Sequence, residues 1–223
     1  MIQKVIGHSV LGNPIYAFGN PAEKNIIIMG GIHAREWITT LLIIELMEEY
    51  ACTPGIWWIP LANPDGVEYA LTHEPLWKAN IRGVDLNVNF DADWGQGIQN
   101  VQKAGSENYI GPYPNSEPET TALIDFTRRI NPIATVAYHS KGEVIYYPDD
   151  GRLAHAVAKT TGYQPIKTTG STGGYSDWVH KHLKIPAVTI EVGNDEKSHP
   201  ITEDDLCEIF EQNKDVPLVT LNI

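Results

Sequence analysis

Four residues of this chain, His33, Glu36, His139 and Glu191, carry side chains that hold metals and move protons, and each sits at or just beyond the end of an apolar run. His33 and Glu36 form an H-x-x-E pair. Three residues apart, across a turn entering a predicted helix, their side chains lie on one side and can share an ion. Such pairs arise often by chance, and Glu36 alone reads equally well as an acid suited to a helix N-terminus. His139, at the end of another apolar run, completes a His2Glu set, the ligand type of a catalytic zinc that keeps a fourth position for water. A lone histidine there would be a core residue satisfied by its neighbours; counted with the other two it is a ligand. Glu191 supplies a carboxylate beside the metal, able to take a proton from water. A strand-end salt bridge is the plain alternative for it. Asp85, in Gly83-Val84-Asp85-Leu86-Asn87, has the chemistry to orient a ligating imidazole or to serve as an ordinary turn aspartate.

These residues need a frame that brings strand ends to one edge. Residues 26–29 and 56–59 are continuous apolar runs, the pattern of strands buried on both faces. Residues 133–138, 144–147 and 187–192 read as further strands. Residues 36–50, 119–130, 152–161, 175–183 and 203–214 read as helices, the last opened by the acidic Glu203-Asp204-Asp205. Residues 3–6 and 15–18 flank a Gly-Asn-Pro turn and read as a hairpin. Residues 61–118 are rich in Asn, Gly, Asp and Pro and read as one long functional loop. Strands alternating with helices predict an α/β fold, a mixed, largely parallel twisted sheet with helices on both faces. In such sheets ligands bind beyond the carboxyl ends of the strands, where the two His and two Glu converge.

With 223 residues, 42% of them hydrophobic, the chain is expected to form a single catalytic domain, 1–223. Lys and Arg number 16 against 28 Asp and Glu, a net charge of -12 that argues against nucleic acid and anionic membranes as partners. Two cysteines cannot build a disulfide framework or a cysteine zinc module. No run approaches the length of a membrane span and the first residues do not read as a leader, so a cytoplasmic protein is expected, with cell wall or spore open by another export route. The oligomeric state is left open.

The sequence resembles the zinc carboxypeptidase (M14) family. The first zinc motif is matched by Gly30-Gly31-Ile32-His33-Ala34-Arg35-Glu36-Trp37-Ile38-Thr39. Further blocks follow in order: Asn63-Pro64-Asp65-Gly66, the stretch from Gly83 to Asn87, Tyr138-His139-Ser140, Gly173-Gly174-Tyr175-Ser176-Asp177-Trp178 and Thr189-Ile190-Glu191. The resemblance implies an eight-stranded sheet and one Zn2+ per chain on His33, Glu36 and His139. It further implies Glu191 as general base and Asp85 as the partner of His33. Asn87, Ser140, Thr169 and Tyr175 are expected at the substrate, a peptide or muropeptide.

The departures bear on the substrate. Carboxypeptidases carry Asn-Arg where this chain has Asn87-Val88, and valine cannot make the bidentate contact by which that Arg grips a terminal carboxylate. The family's mobile tyrosine falls at Thr169. The γ-D-glutamyl-diamino-acid peptidase branch, which cuts bacterial cell-wall peptides, also lacks the Arg. Its H-S/T-x-G-E-x-I-Y stretch resembles the segment from His139 to Tyr147. The family's oxyanion-stabilising Arg follows a Trp that aligns with Trp77, so Lys78 is its counterpart. Arg82, with its planar fork of donors, is ranked slightly ahead of Lys78. Trp77 and Trp94 are candidates to line the cleft or to pack the loop. A zinc-dependent cell-wall peptidase is therefore expected. The rivals are a carboxypeptidase gripping the carboxylate through Lys141 or Arg82, and an inactive peptide-binding relative.

Overall fold

Runs with no polar alternation become the centre of the sheet, because both of their faces are covered. The computed structural model describes residues Met1–Ile223. The hairpin β1 (Ile2–His8) and β2 (Pro14–Gly19) leads to β3 (Ile26–Met29), helix α1 (Ile38–Glu49), β4 (Ile56–Ile59), α2 (Pro64–Thr72) and α3 (Pro118–Ile130). Then come β5 (Ala134–Ser140), β6 (Val144–Tyr147), α4 (Arg152–Thr161), β7 (Gln164–Lys167), α5 (Tyr175–Leu183), β8 (Ala187–Val192), α6 (Leu206–Asn213) and α7 (Val216–Leu221). All eight strands join one sheet in the order β1-β2-β4-β3-β5-β8-β6-β7. The four central strands, β4-β3-β5-β8, are mutually parallel. Antiparallel pairs join β1 to β2, β2 to β4 and β6 to β8, so the sheet is mixed with a parallel centre.

Alternate residues of one strand feed opposite cores. Ile26, Ile28 and Trp58 pack with Leu42 and Leu46 of α1, Val157 of α4, Ile209 of α6 and Val216 of α7. Ile27, Met29 and Trp57 pack with Leu123 and Phe126 of α3 and Trp178 of α5 on the other face. Each fully buried isoleucine contributes about 1.5–3 kcal/mol, which makes β3 and β4 rigid props for whatever follows them. No helix is long and apolar enough to cross a membrane.

Three elements differ from the sequence reading. The stretch 61–118 is not all loop, since α2 opens it. Asn63 caps α2 by accepting the Gly66 N–H at 3.0 Å, and Pro64 fills the first turn, where its lack of an N–H costs nothing. A Cβ at Gly66 would meet Asn63 Nδ2 at 2.4 Å and the Ala79 carbonyl at 2.5 Å, so glycine is required there by close approach. β7, with Pro165 inside it, is an edge strand, the place a sheet tolerates proline. The closing helix is divided, a 3-10 turn at Glu203–Asp205 leading into α6 and a separate α7 carrying Pro217 in its first turn.

Candidate active site

The backbone immediately after β3 builds the first half of the site. A 3-10 turn, Ala34–Glu36, follows His33 and turns both side chains inward. It is pinned from two sides. Thr39 Oγ1 accepts the Gly31 N–H at 2.8 Å and donates to the Glu36 carbonyl at 2.8 Å, while the Ala34 N–H donates to the Lys78 carbonyl at 2.9 Å. Asn63 Nδ2 bridges the carbonyls of Ile32 and Ala79, both at 3.1 Å, and so clamps the 78–85 loop to the same turn.

The second half is delivered by sheet register. His139 lies within β5 rather than after it, and pairs directly with Glu191 across the parallel β5/β8 ladder. The two residues are therefore neighbours because adjacent strands end together.

His33, Glu36 and His139 are all buried, and their ligand atoms lie within 4.8 Å of one another. His33 Nδ1 is 2.9 Å from Glu36 Oε1, His139 Nδ1 is 3.0 Å from Glu36 Oε2, and the two Nδ1 atoms are 3.1 Å apart. Two imidazole nitrogens and a carboxylate converging in a dry pocket are a donor set suited to a divalent ion of zinc type. The Ser140 N–H donates to Glu36 Oε2 at 3.2 Å and steadies it. His33 Nε2 meets Asp85 Oδ1 at 3.1 Å, leaving Nδ1 to face the other ligands. Asp85 also caps its own turn through the Asn87 N–H and pairs with Lys78 Nζ at 2.7 Å.

The electrostatics agree with a cation site. Burial works against a charged His33, yet the carboxylates of Glu36 and Asp85 outweigh it and raise its pKa to about 9. Burial would also raise Glu36, but His33 and His139 hold it well below the usual carboxylate range. Asp85 is likewise held low against its burial, by His33 and Lys78. A pocket whose field draws a proton onto a buried imidazole favours a metal ion at the same spot, and the ion would release that proton. Burial first, and then the Glu36 carboxylate, push Glu191 up to about 8.

A cleft of about 500 Å³ runs from His33 and Glu191 to the 167–171 loop, lined mainly by polar side chains. Lys78, Asp85, Asn87, Val88 and Thr169 all line it. Three expectations are corrected. Arg82 is not in the cleft. Asn80 folds the loop back on itself, its Oδ1 accepting the N–H groups of Arg82 and Val84, and the Arg82 guanidinium emerges on the other side, 3.6 Å from Glu117. Tyr175 faces the core rather than substrate. Its ring is fully buried against Phe90 and its hydroxyl pairs with Thr127 Oγ1 at 2.9 Å, because the helical spacing of Tyr175, Trp178 and Val179 forms the inner stripe of α5. Ser140 is buried and serves Glu36 through its backbone rather than the cleft. Asn87, besides lining the cleft, accepts the Tyr175 N–H at 3.0 Å and so starts α5. Trp77 and Trp94 pack the loop, each donating its indole N–H to a backbone carbonyl.

The cleft also holds Lys167, Tyr146 and Asp177, which the sequence reading did not assign. Asp177 stood inside a motif block already noted. Lys167 is the last residue of β7, an edge strand that carried no periodic signal.

A parallel-centred sheet with a buried His-Glu-His set and a carboxylate at its carboxyl edge is the arrangement of metallopeptidase-type hydrolases. The chain belongs to the zinc carboxypeptidase family (Peptidase_M14), whose model matches residues 2–168. It is 31% identical over 248 aligned residues to γ-D-glutamyl-L-diamino acid endopeptidase 1 of Lysinibacillus sphaericus, an alignment covering 90% of this chain and 62% of that protein. The chain thus spans less than two thirds of that relative's length. Its fold is that of bovine thrombin-activatable fibrinolysis inhibitor in complex with tick carboxypeptidase inhibitor (TM-score 0.86, 23% identity, 99% of this chain and 88% of that one). It also matches the murein-tripeptide amidase MpaA of Escherichia coli O157 (TM-score 0.77, 24% identity, 98% and 91%).

Proposed function

We propose that this chain is a zinc-dependent hydrolase of amide bonds in bacterial cell-wall peptides, acting on the bond between γ-D-glutamate and a diamino acid. The observation that carries the reading is Val88. It lines the cleft where carboxypeptidases place the arginine that grips a terminal carboxylate, in a cleft whose walls are mainly polar. The names borne by the Lysinibacillus relative and by the amidase of like fold support the same substrate class.

His33, Glu36 and His139 would hold the zinc, with Asp85 orienting His33. Bound there, zinc supplies Lewis acidity toward the scissile carbonyl and acidifies the attacking water. Glu191 would take the proton from the attacking water on its carboxylate and return it to the leaving nitrogen; burial and then Glu36 push its pKa up, and a cation held beside it would bring it back down. Lys78 is the cation at the reacting end of the cleft. Held by Asp85 and by Asn108 Oδ1 at 2.6 Å, it would offer its positive charge to the oxyanion that develops on the carbonyl oxygen.

One observation favours a second reading, an exopeptidase for ordinary peptides. Lys167 lines the cleft and makes no ion pair, so it is available to a substrate carboxylate, whereas Lys141 is engaged by Asp195 at 2.9 Å and Arg82 lies outside. Hydrolysis of L-Ala-γ-D-Glu-meso-diaminopimelate and of hippuryl-Phe, followed by mass spectrometry with and without a chelator, separates the two. Release of free diaminopimelate that a chelator abolishes is the expected result. Cleavage of hippuryl-Phe alone would overturn the cell-wall reading in favour of the exopeptidase.

A further inference from the structure

We propose that Asn80, backed by Glu117, is a positioning residue for the reaction: it sets Lys78 and Asp85 against each other, and so ties the cation at the carbonyl oxygen to the orientation of the His33 imidazole. The inference rests on the zinc-hydrolase reading above and on the roles given there to Lys78 and Asp85, whichever amide is cut.

Asn80 is fully buried and does not line the cleft. Each of its polar atoms is used. Its N–H donates to the Val84 carbonyl at 2.9 Å, and its carbonyl accepts the Gly83 N–H at 3.0 Å and the Trp77 indole N–H at 3.2 Å. Its side chain does more. Oδ1 accepts the Arg82 and Val84 N–H groups at 3.0 and 3.1 Å, while Nδ2 donates to Glu117 Oε2 at 2.8 Å and to Glu119 Oε2 at 3.3 Å. The turn this closes has Lys78 on its incoming arm and Asp85 on its outgoing arm, and the two meet as an ion pair at 2.7 Å. On the far side Lys78 reaches Asn108 Oδ1, and the Asp85 N–H donates to the Tyr109 carbonyl at 2.9 Å. Those contacts hold each residue singly, whereas Asn80 joins the two arms.

The residue type follows from its two sides. One side must accept from the turn's own N–H groups and the other must donate to carboxylates. An aspartate would turn an oxygen toward Glu117 and Glu119, and an alanine would leave the buried Val84 N–H and a buried carboxylate short of partners.

The anchor behind Asn80 is rigid. Glu117 and Glu119 are both buried. Ser116 Oγ donates to Glu117 Oε1 at 2.7 Å, the Glu117 N–H donates to Asn89 Oδ1 at 3.3 Å, and the Val10 N–H donates to Glu119 Oε1 at 3.0 Å. Glu117 immediately precedes α3, whose Leu123 and Phe126 pack with Ile27 and Met29 of β3. The turn and the strand that leads to His33 therefore share one frame. An apolar contact would hold the turn down without burying charge. A charge-assisted hydrogen bond adds direction, holding the amide to one geometry.

The test uses the zinc-loaded full chain, the two peptides named above and two double-mutant cycles. Asn80→Ala is expected to lower kcat by roughly 10- to 100-fold with KM within about threefold, the scale of a displaced catalytic group. It should weaken zinc by roughly 3- to 10-fold in chelator competition, less than replacement of Asp85 itself. Added to Lys78→Met, the same change should cost less than about threefold more in kcat, and added to Asp85→Asn it should leave zinc affinity within about twofold. Residues that act through one another give such non-additive losses, whereas a general loosening of the fold multiplies them. Multiplied losses in either cycle overturn the proposal, as does an Asn80→Ala enzyme with wild-type kcat and zinc affinity. Glu117→Ala leaves Asn80 to close its own turn and removes the anchor behind it. It should repeat the pattern with smaller losses, and it replaces Asn80→Ala should that variant not fold. A Lys78→Met enzyme of wild-type kcat, or a wild type that turns over neither peptide, would overturn the reading above; the zinc cycle then decides the role of Asn80 by itself.

Discussion

At the His33 end of the cleft His33, Glu36, Asp85 and Lys78 hold one another, with Glu191 left without a hydrogen bond beside them; at the Lys167 end few polar side chains are engaged. His33 contacts Glu36 and Asp85, Glu36 contacts both histidines and the Ser140 N–H, and Asp85 holds His33, Lys78 and its own turn. These groups stand on the ends of central parallel strands or on a turn clamped by Thr39 and Asn63. At the other end, Lys167 and Ser171 make no side-chain bond, and Asp177 uses one oxygen. The 168–172 loop is tied down at its ends and middle, by Thr168 to the Tyr147 carbonyl, by Thr172 to Asn100 and by Ile98 N–H to the Gly170 carbonyl at 2.9 Å. The difference separates two tasks. A reacting centre must be organised before substrate arrives, because reorganisation during the reaction raises the barrier. A recognition surface must keep donors and acceptors free for the ligand to satisfy.

The comparison breaks most visibly at Glu191. Glu191→Gln should retain the metal at one equivalent by elemental analysis yet lower kcat by roughly 10²- to 10⁴-fold, the range of general-base removal. A variant that kept its activity would assign the measured function to peptide binding instead. Lys78 and Arg82 come next, since four residues of sequence put them on opposite sides of one loop. Lys78→Met should lower kcat by roughly 10²- to 10³-fold with KM little changed, as for loss of an oxyanion donor, whereas Arg82→Met should leave both within about twofold. Equal losses would mean that the loop rearranges to bring Arg82 inward. Asp85→Asn is a smaller effect. It should weaken metal affinity by roughly 10- to 100-fold, the usual consequence of replacing the carboxylate behind a ligating histidine, as read by competition with a chelator of known affinity.

The same division explains what could be read from the sequence. His33, Glu36, His139 and Glu191 were legible because apolar runs mark central strands, and polar residues at the ends of such runs have to lie on one edge. Asp177 and Lys167 were not, because nothing in a loop or an edge strand says which way a side chain faces. The helix α2 was hidden for a local reason. Asn63-Pro64-Asp65-Gly66 is written in turn residues, and only the cap from Asn63 to Gly66 and the packing of Gly66 on Ala79 reveal it as a helix start. Tyr175 misled for the opposite reason: its place in a functional block suggested substrate, while its helical register with Trp178 and Val179 put it in the core. Arg82 shows the limit of sequence distance, because one buried side chain, Asn80, reverses the chain between it and Lys78.

The smallest effect also sharpens the contrast, because it asks what the preorganised end costs the fold. Glu191 in the metal-free protein is pushed up to about 8, by burial and then by Glu36, against about 4.3 in an unfolded chain. Between those values the folded state holds a proton that the unfolded chain has already released, so stability falls as pH rises through the window. Glutamine imitates the protonated carboxyl and removes the titration. Urea unfolding in excess chelator should therefore find wild type and Glu191→Gln nearly equal near pH 4.5. By pH 9 the variant should be the more stable by roughly 1–3 kcal/mol, the cost of an unsatisfied buried polar or charged group. Saturating zinc should shrink the gap, since a cation beside Glu191 lowers its pKa. A difference independent of pH would mean that water reaches the carboxylate freely in the folded state, and that its cleft end resembles the Lys167 end more than the His33 end.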